Sequence, residues 1–436
     1  MIKTVEKKNQ TSLISNKLVE QTKPGYKKTK LGWIPEEWNI YKFKQISFID
    51  KESISNGISS DYSFTYLSLS DVEKGEIINS LLKIKFHDAP SRARRKVKNG
   101  DILLSTVRPN LLGYYYFKLP VKDFIVSTGF SVITPKDNVS GEYIYQSLYG
   151  KALQNQFYRL IVGSNYPAIN SSDVKNLRIP LPPLPEQRKI AQILSTWDKA
   201  IEKTEQLIQT KTQLKKGLMQ QLLTGKKRFK EFIFTNKRHN SKVGLIPKDW
   251  KIKKLHEIAK FSNGKAHEKY IVENGNYFVV NSKFISTEGK VVKRSNECLS
   301  PLNTGDIAIV MSDIPQGVAL AKCYFITVDN KYTLNQRIGC IRPYNADNQF
   351  VYFILNRNKF YLKFDDGVSQ TNLRKYEVIE CPIPLPSLQE QRKITSTLNL
   401  IQNEINLLQN NLKLLITQKK GLMQKLLTGE VRVKID

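Results

Sequence analysis

At 436 residues with 40% hydrophobic side chains, the chain is long enough for two or three domains with cores of their own. A formal charge of +30 argues against a protein that works only on neutral or cationic partners and calls for a polyanion, most often nucleic acid. There is no apolar run of membrane-spanning length, and residues 1–21 lack the apolar stretch of a secretory signal, so no membrane partner and a cytoplasmic location are expected.

Residues 1–24 read as a polar, lysine-rich extension with too little apolar content to fold by itself. A first domain is expected over residues 25–179. It opens with LGWIPEEW, where Pro35 stiffens the entry and Trp38 packs under a sheet. The runs TYLSLSDV, GDILLSTVR and FIVSTGFSVITP alternate apolar and polar residues and are rich in Val, Ile, Thr and aromatics, as strands are. Gly100-Asp101-Ile102 marks a turn into a strand, and YIYQSLYGKALQNQF reads as helix before a Gly-containing loop.

Residues 180–236 carry a long helix and a basic linker. IPLPPLPEQRKIA opens it, with Pro185 in the first turn, where the missing N–H costs little; GLMQQLLTG closes it, with Gly225 as a left-handed cap. A helix from Glu186 to Thr224 would run roughly 58 Å, too long for an ordinary domain helix. Its apolar seam passes through Ile190, Leu194, Trp197, Ile201, Thr204, Ile208, Lys211, Lys215, Leu218 and Leu222.

A second domain is expected over residues 237–382. It opens with VGLIPKDW and continues through GNYFVVNS, GDIAIVMSDI, CYFITV and QRIGCIRP, with Gly305-Asp306-Ile307 at the turn and FVYFILNRNKF as the helix. Residues 383–436 repeat the long helix from IPLPSLQEQRKI to QKKGLMQKLLTG, with Ser387 and Glu390 in capping-box spacing. Glu186, Gly217 and Gly225 recur as Glu390, Gly421 and Gly429, a constant offset of 204 with no insertion. The second seam is a heptad: Ile394, Leu398, Ile401, Ile405, Leu408, Leu412, Leu415, Lys419, Leu422 and Leu426.

Two such seams can bury each other, and connectivity makes the antiparallel pairing the cheapest. The expected fold class is therefore α+β: two domains of mixed sheet, joined by two long antiparallel coiled-coil helices in a circular, pseudo-twofold organisation.

Residues for catalysis are harder to find. Neither an NPPF or DPPY loop nor a P-loop is present, and Glu288-Gly289-Lys290 matches only a three-residue nuclease pattern that basic chains produce by chance. Cys298, Cys323, Cys340 and Cys381 show no CxxC spacing, and His87, His239, His256 and His267 form no ligand pair, so buried reduced thiols and no metal are expected.

The duplicated PLPPLPEQRKIA and GLMQQLLTG blocks, each downstream of a variable globular half, resemble the specificity subunit of a Type I restriction-modification enzyme. The resemblance covers the chain from about Gly25 onward. It implies two target recognition domains, a non-catalytic chain without cofactors of its own, double-stranded DNA as ligand, and docking of two methyltransferase subunits. It further implies restriction/translocase subunits in the full complex, with S-adenosylmethionine, ATP and magnesium brought by the partners. The repeated helix blocks are the expected subunit interface: Gln187, Arg188, Gly217, Leu218 and Met219, then Gln391, Arg392, Gly421, Leu422 and Met423. The other readings are an enzyme with an unrecognised site and a scaffold that binds nucleic acid without sequence preference.

Base readout calls for Arg, Asn or Gln at groove edges, while Lys and hydroxyls hold phosphates. In the first domain the candidates are Arg92, Arg94, Arg95, Lys96 and Lys98, then Arg108 and Asn110, then Ser164, Asn165 and Tyr166. In the second they are Lys290, Lys293 and Arg294, then Ser312 and Gln316, then Gln370, Thr371 and Asn372. Arg94 or Arg108 is expected to read bases and Lys96 or Lys98 to grip phosphate.

Overall fold

The computed structural model describes residues 23–55, 57–73, 75–119, 123–161, 167–314 and 317–435; the extension expected at 1–24 falls almost wholly outside the described residues. The chain divides into two compact units, Met1–Lys203 with Leu412–Asp436, and Thr204–Asn411.

In the first unit Ile102–Ser105 lies between Tyr114–Tyr116 and Phe130–Pro135, with Ser47–Ile49 outermost, and every pair is antiparallel. Ile102–Ser105 is buried at all four positions, so it reads as a continuous apolar run and not as an alternating one. A second sheet has the order Leu82–Lys85, Ser63–Leu67, Phe124–Ser127, Ala93–Lys96, and its central pair is parallel. The helices Gly141–Leu148 and Lys151–Ile161 bury Tyr143, Leu148, Leu153 and Phe157 in a core shared with Trp38 and Ile190.

The second unit repeats the plan. Ile307–Val310 lies between Cys323–Phe325 and Ile338–Pro343, with Ala259–Asn263 outermost, and Tyr277–Val280 runs parallel to Tyr332–Leu334 and antiparallel to Lys293–Ser295. In both units the IPLP block is itself a strand: Arg178–Leu181 pairs with Asn39–Lys42, and Pro382–Leu385 with Lys251–Lys254. Each half is thus closed by hydrogen bonds between an early strand and its last one.

The long helices run Leu184–Leu222 and Leu388–Leu427, 39 and 40 residues. Every seam position named above is buried or half-buried, and most of the intervening ones are exposed, as heptad packing requires. The helices are antiparallel: Lys211 Nζ meets Glu404 at 2.8 Å, while Lys215 Nζ, four residues further on, meets Gln402 Oε1 at 2.6 Å. Lysines that interrupt the seam are therefore used, since Lys419 likewise pairs with Asp198. Burial pushes the Lys215 ammonium below its ordinary pKa, with Glu288 opposing.

Both helix ends are locked in the same way. Gly429, at φ +70°, packs against Pro35 and Trp38, and Gly225, at φ +65°, packs against Pro247 and Trp250; a Cβ on either glycine would stand 2.5 to 2.6 Å from the proline ring. The helix ends therefore sit on the entry tryptophans, and Trp38 shares its core with the sheet residues Ile102, Leu104 and Ile133. Trp38 Nε1 donates to Glu186 at 3.1 Å. The capping box at the second helix is half made: Glu390 N donates to Ser387 Oγ at 3.3 Å, but the Glu390 carboxylate is taken by Arg228 at 2.7 Å.

Candidate nucleic-acid interface

Each unit builds one corner from three segments far apart in sequence. In the first, Thr106 N donates to Gly129 O at 2.8 Å, Ile169 N to Thr106 O at 2.9 Å, and Arg108 N to Pro167 O at 2.7 Å. Arg108 and Leu112 both adopt the left-handed region, at φ +48° and +59°, on either side of the short turn Pro109–Leu111. Such backbone costs a non-glycine residue about 1 kcal/mol or more and tends to cluster at functional sites. Arg108 and Asn110 are exposed there. Ser164, Asn165 and Tyr166 lie outside the described residues, but Pro167, which follows them, is bonded to Arg108.

In the second unit Met311 N donates to Arg337 O at 3.2 Å and Leu373 N to Met311 O at 2.7 Å, while Ser312–Asp313 pairs with Thr371–Asn372. Gln370 Nε2 donates to Ser312 Oγ at 2.7 Å. Ser312 and Thr371 are buried, leaving Gln370 and Asn372 exposed; Gln316 lies outside the described residues. Two of the three clusters expected in this unit are thereby brought to one place.

The remaining cluster of each unit behaves differently. Ala93–Lys96 is the edge strand of its sheet, and Thr128 N donates to Arg92 O at 2.8 Å, beside Gly129 and hence beside the corner. Arg92, Lys96 and Lys98 are exposed. Arg95 is turned inward, ion-paired with Asp50, whose carboxylate also accepts from Val132 N at 2.8 Å; burial pushes the Arg95 pKa down. Arg94 stacks over Phe86 at 5.0 Å and donates to Ala93 O at 2.9 Å. Lys290, Lys293 and Arg294 are exposed, but they are not the counterparts of Arg92–Lys98: Lys293–Ser295 occupies the sheet position of Leu82–Lys85. Arg294 stacks over Phe278 at 4.7 Å.

On the helices, Gln187 and Gln391 are 1% and 3% exposed. Gln187 accepts from Ser140 N at 2.9 Å and donates to Pro182 O at 2.8 Å; Gln391 does the same with Asp347 N and Pro386 O, at 2.9 Å each. These amides tie each half to its helix, with the carbonyl and one N–H of each engaged inside its own unit. Arg188 and Arg392 are exposed. Leu218 and Met219 pack on Phe350 and Ile394, and Leu422 and Met423 on the core that holds Trp38. Among the described residues nothing lies within 4 Å of a Cβ built on Gly217 or Gly421, so no close approach of the two helices explains them.

The family described as "Type I restriction modification DNA specificity domain" matches residues 35–212 and 247–418, both halves of the repeat. The chain belongs to this family. Among its members, the MjaVIII specificity subunit of Methanocaldococcus jannaschii is 27% identical over 431 residues, covering 92% of this chain and 94% of that protein. The MjaIX specificity subunit of the same organism is 26% identical over 439 residues, covering 94% and 96%. The same fold appears in a solved chain from work on complex assembly and conformational transition of the type I R-M system, with a TM-score of 0.58, 20% identity and coverage of 91% and 99%. A Type-I restriction-modification S subunit from M. genitalium gives a TM-score of 0.55, with 17% identity and coverage of 89% and 96%.

Reading the sequence missed Arg228 and Arg432, which stand outside the quoted blocks. Their separation, the same offset of 204, was the signal that could have found them. Among the described residues no group of His, Cys, Asp or Glu could hold a metal ion, and no helix is long and apolar enough to cross a membrane.

Proposed function

We propose that this specificity-family chain is the non-catalytic DNA sequence-specificity subunit of a Type I restriction-modification complex, recognising a bipartite target and scaffolding its partners. The observation that carries the reading is the corner built twice, with exposed Arg, Asn and Gln side chains on strand-anchored loops in a chain of charge +30. Each half, residues 25–179 and 237–382, reads one part of the target. Arg108, Asn110, Gln370 and Asn372 face base edges, and Arg92, Lys96, Lys98, Lys290 and Lys293 hold phosphates.

The long helices, residues 180–236 and 383–436, carry two methyltransferase subunits and, in the full complex, restriction/translocase subunits. S-adenosylmethionine, ATP and magnesium enter with those partners, and the complex works in the cytoplasm. Methylation-sensitive sequencing of cells with and without the chain tests this. A gapped modified motif that disappears with the chain is expected; a genome whose modified motifs are the same in both overturns it.

A further inference from the structure

We infer that Arg337 is a base-reading, specificity-determining residue of the second unit, selecting a guanine in one half of the target. The inference rests on the proposed function and names a residue within it. Arg337 O is the acceptor that anchors Met311, and Gly129 O is the acceptor that anchors Thr106 at the same corner of the first unit. At that place the first unit has no side chain, since a Cβ on Gly129 would stand 2.4 Å from Leu69 Cδ1. The second unit puts an exposed arginine there.

The other arginines of residues 237–382 are mostly occupied. Arg238 donates to Gly225 O at 2.6 Å, Arg357 to Leu320 O at 3.0 Å, Arg342 to Asp306 at 2.6 Å, and Arg294 lies on Phe278. Among the described residues Arg337 and Arg374 have no side-chain partner, and of these two Arg337 lines a cleft with Lys283, Lys293 and Asn281. Lys283 and Lys293, against the single carboxylate of Glu268, suit that cleft to a phosphate backbone, which would set Arg337 beside the bases.

Its backbone is held on both sides. Asn335 bridges to Lys265, where Gly264 brings a would-be Cβ to 2.1 Å of Asn335 O, and Ile338 is fully buried at the start of Ile338–Pro343. A fork of five donors on a fixed stem fits the O6 and N7 acceptors of guanine, the commonest specific pairing in the major groove. Asymmetry follows: the two halves of the target are read by differently built corners.

The test uses the chain assembled with its methyltransferase subunit and a randomised duplex library, for wild type, R337A and R337K. Wild type should select a bipartite motif. R337A should lose preference for guanine at one position of one half, by roughly 5- to 150-fold, and leave the other half unchanged. R337K, which keeps the charge but not the planar fork, should weaken the same preference while retaining most of its affinity, and it carries the test should R337A melt early. An unchanged motif in both variants, or a uniform weakening with a salt slope lower by about one, overturns the inference and makes Arg337 a phosphate contact or a bystander. If wild type selects no motif at all, the proposed function fails first.

Discussion

Arg432 donates to Glu186 across 246 positions of sequence at 2.7 Å, and Arg228 makes the same bond to Glu390 at 2.8 Å. Each arginine lies just past the end of one long helix, and each glutamate lies in the first turn of the other. Glu186 and Glu390 are 0% and 1% exposed, so removing Arg228 strands a buried carboxylate, while removing Arg432 leaves Glu186 with Trp38 Nε1 as its donor. Breaking such a pair costs roughly 3–5 kcal/mol when both partners are buried. The Arg228 side chain is 6% exposed and that of Arg432 39%, so R228A should cost the larger share and R432A about half of it. Urea unfolding checks the order, and equal losses would show that burial does not set the cost.

The buried glutamines give a second measurement. Q187A would leave Ser140 N and Pro182 O without partners inside the first unit, and Q391A would do the same to Asp347 N and Pro386 O in the second. Each should lower stability by roughly 1–3 kcal/mol. Affinity for the methyltransferase subunit, measured well below the melting temperature, should stay the same. Weaker subunit binding at unchanged stability would place both glutamines at an interface.

The long helices and their pairing were legible because heptad spacing is a local, repeated signal and the offset of 204 is exact. Sheet order was not legible, because Ile102–Ser105 and Ile307–Val310 are buried throughout and carry no alternation to say which strand lies on which side. Nor could the sequence pair the basic clusters correctly: Lys293 and Arg294 look like Arg94 and Arg95, yet strand pairing puts them on a different edge. Arg95 shows a further limit, since nothing near it in sequence reveals that Asp50 will claim its charge.

Readers and grippers in the first unit should separate by salt. K96A should weaken binding to all sequences alike and lower the slope of log affinity against log salt by about 0.9, as one lost phosphate contact does. R108A should cost roughly 1–3 kcal/mol against the preferred sequence and relax one position of the half-site not governed by Arg337. Fluorescence anisotropy at several salt concentrations, on cognate and scrambled duplexes, distinguishes the two. Loss of sequence preference in K96A would reverse the assignments.

Three of the four thiols should be unreactive in the native protein. Burial pushes Cys340 and Cys381 up to about 12 and Cys323 higher still, while Cys298 is half-buried. At pH 8 the buried thiols are almost wholly protonated, and the thiolate is the nucleophile. Ellman's reagent should therefore titrate one thiol in native protein and four in denaturant. The linkage has a definite sign: folded pKa values above the unfolded one hold stability intact below about pH 9 and lose it as pH rises further. C340A and C381A variants should show a shallower alkaline loss than wild type.

Gly217 and Gly421 cost their helices about 1 kcal/mol each relative to alanine, and no atom of the described residues approaches close enough to demand that cost. G421A should therefore stabilise the isolated chain by about that amount, which a thermal melt resolves. If a partner's backbone packs against the open site, the same methyl group would collide with it, and affinity for the methyltransferase subunit should fall while the melting temperature rises. The two readouts move in opposite directions only when the glycine is kept for a contact outside this chain. A rise in stability with unchanged subunit binding would mean that the repeat preserves a glycine no partner touches.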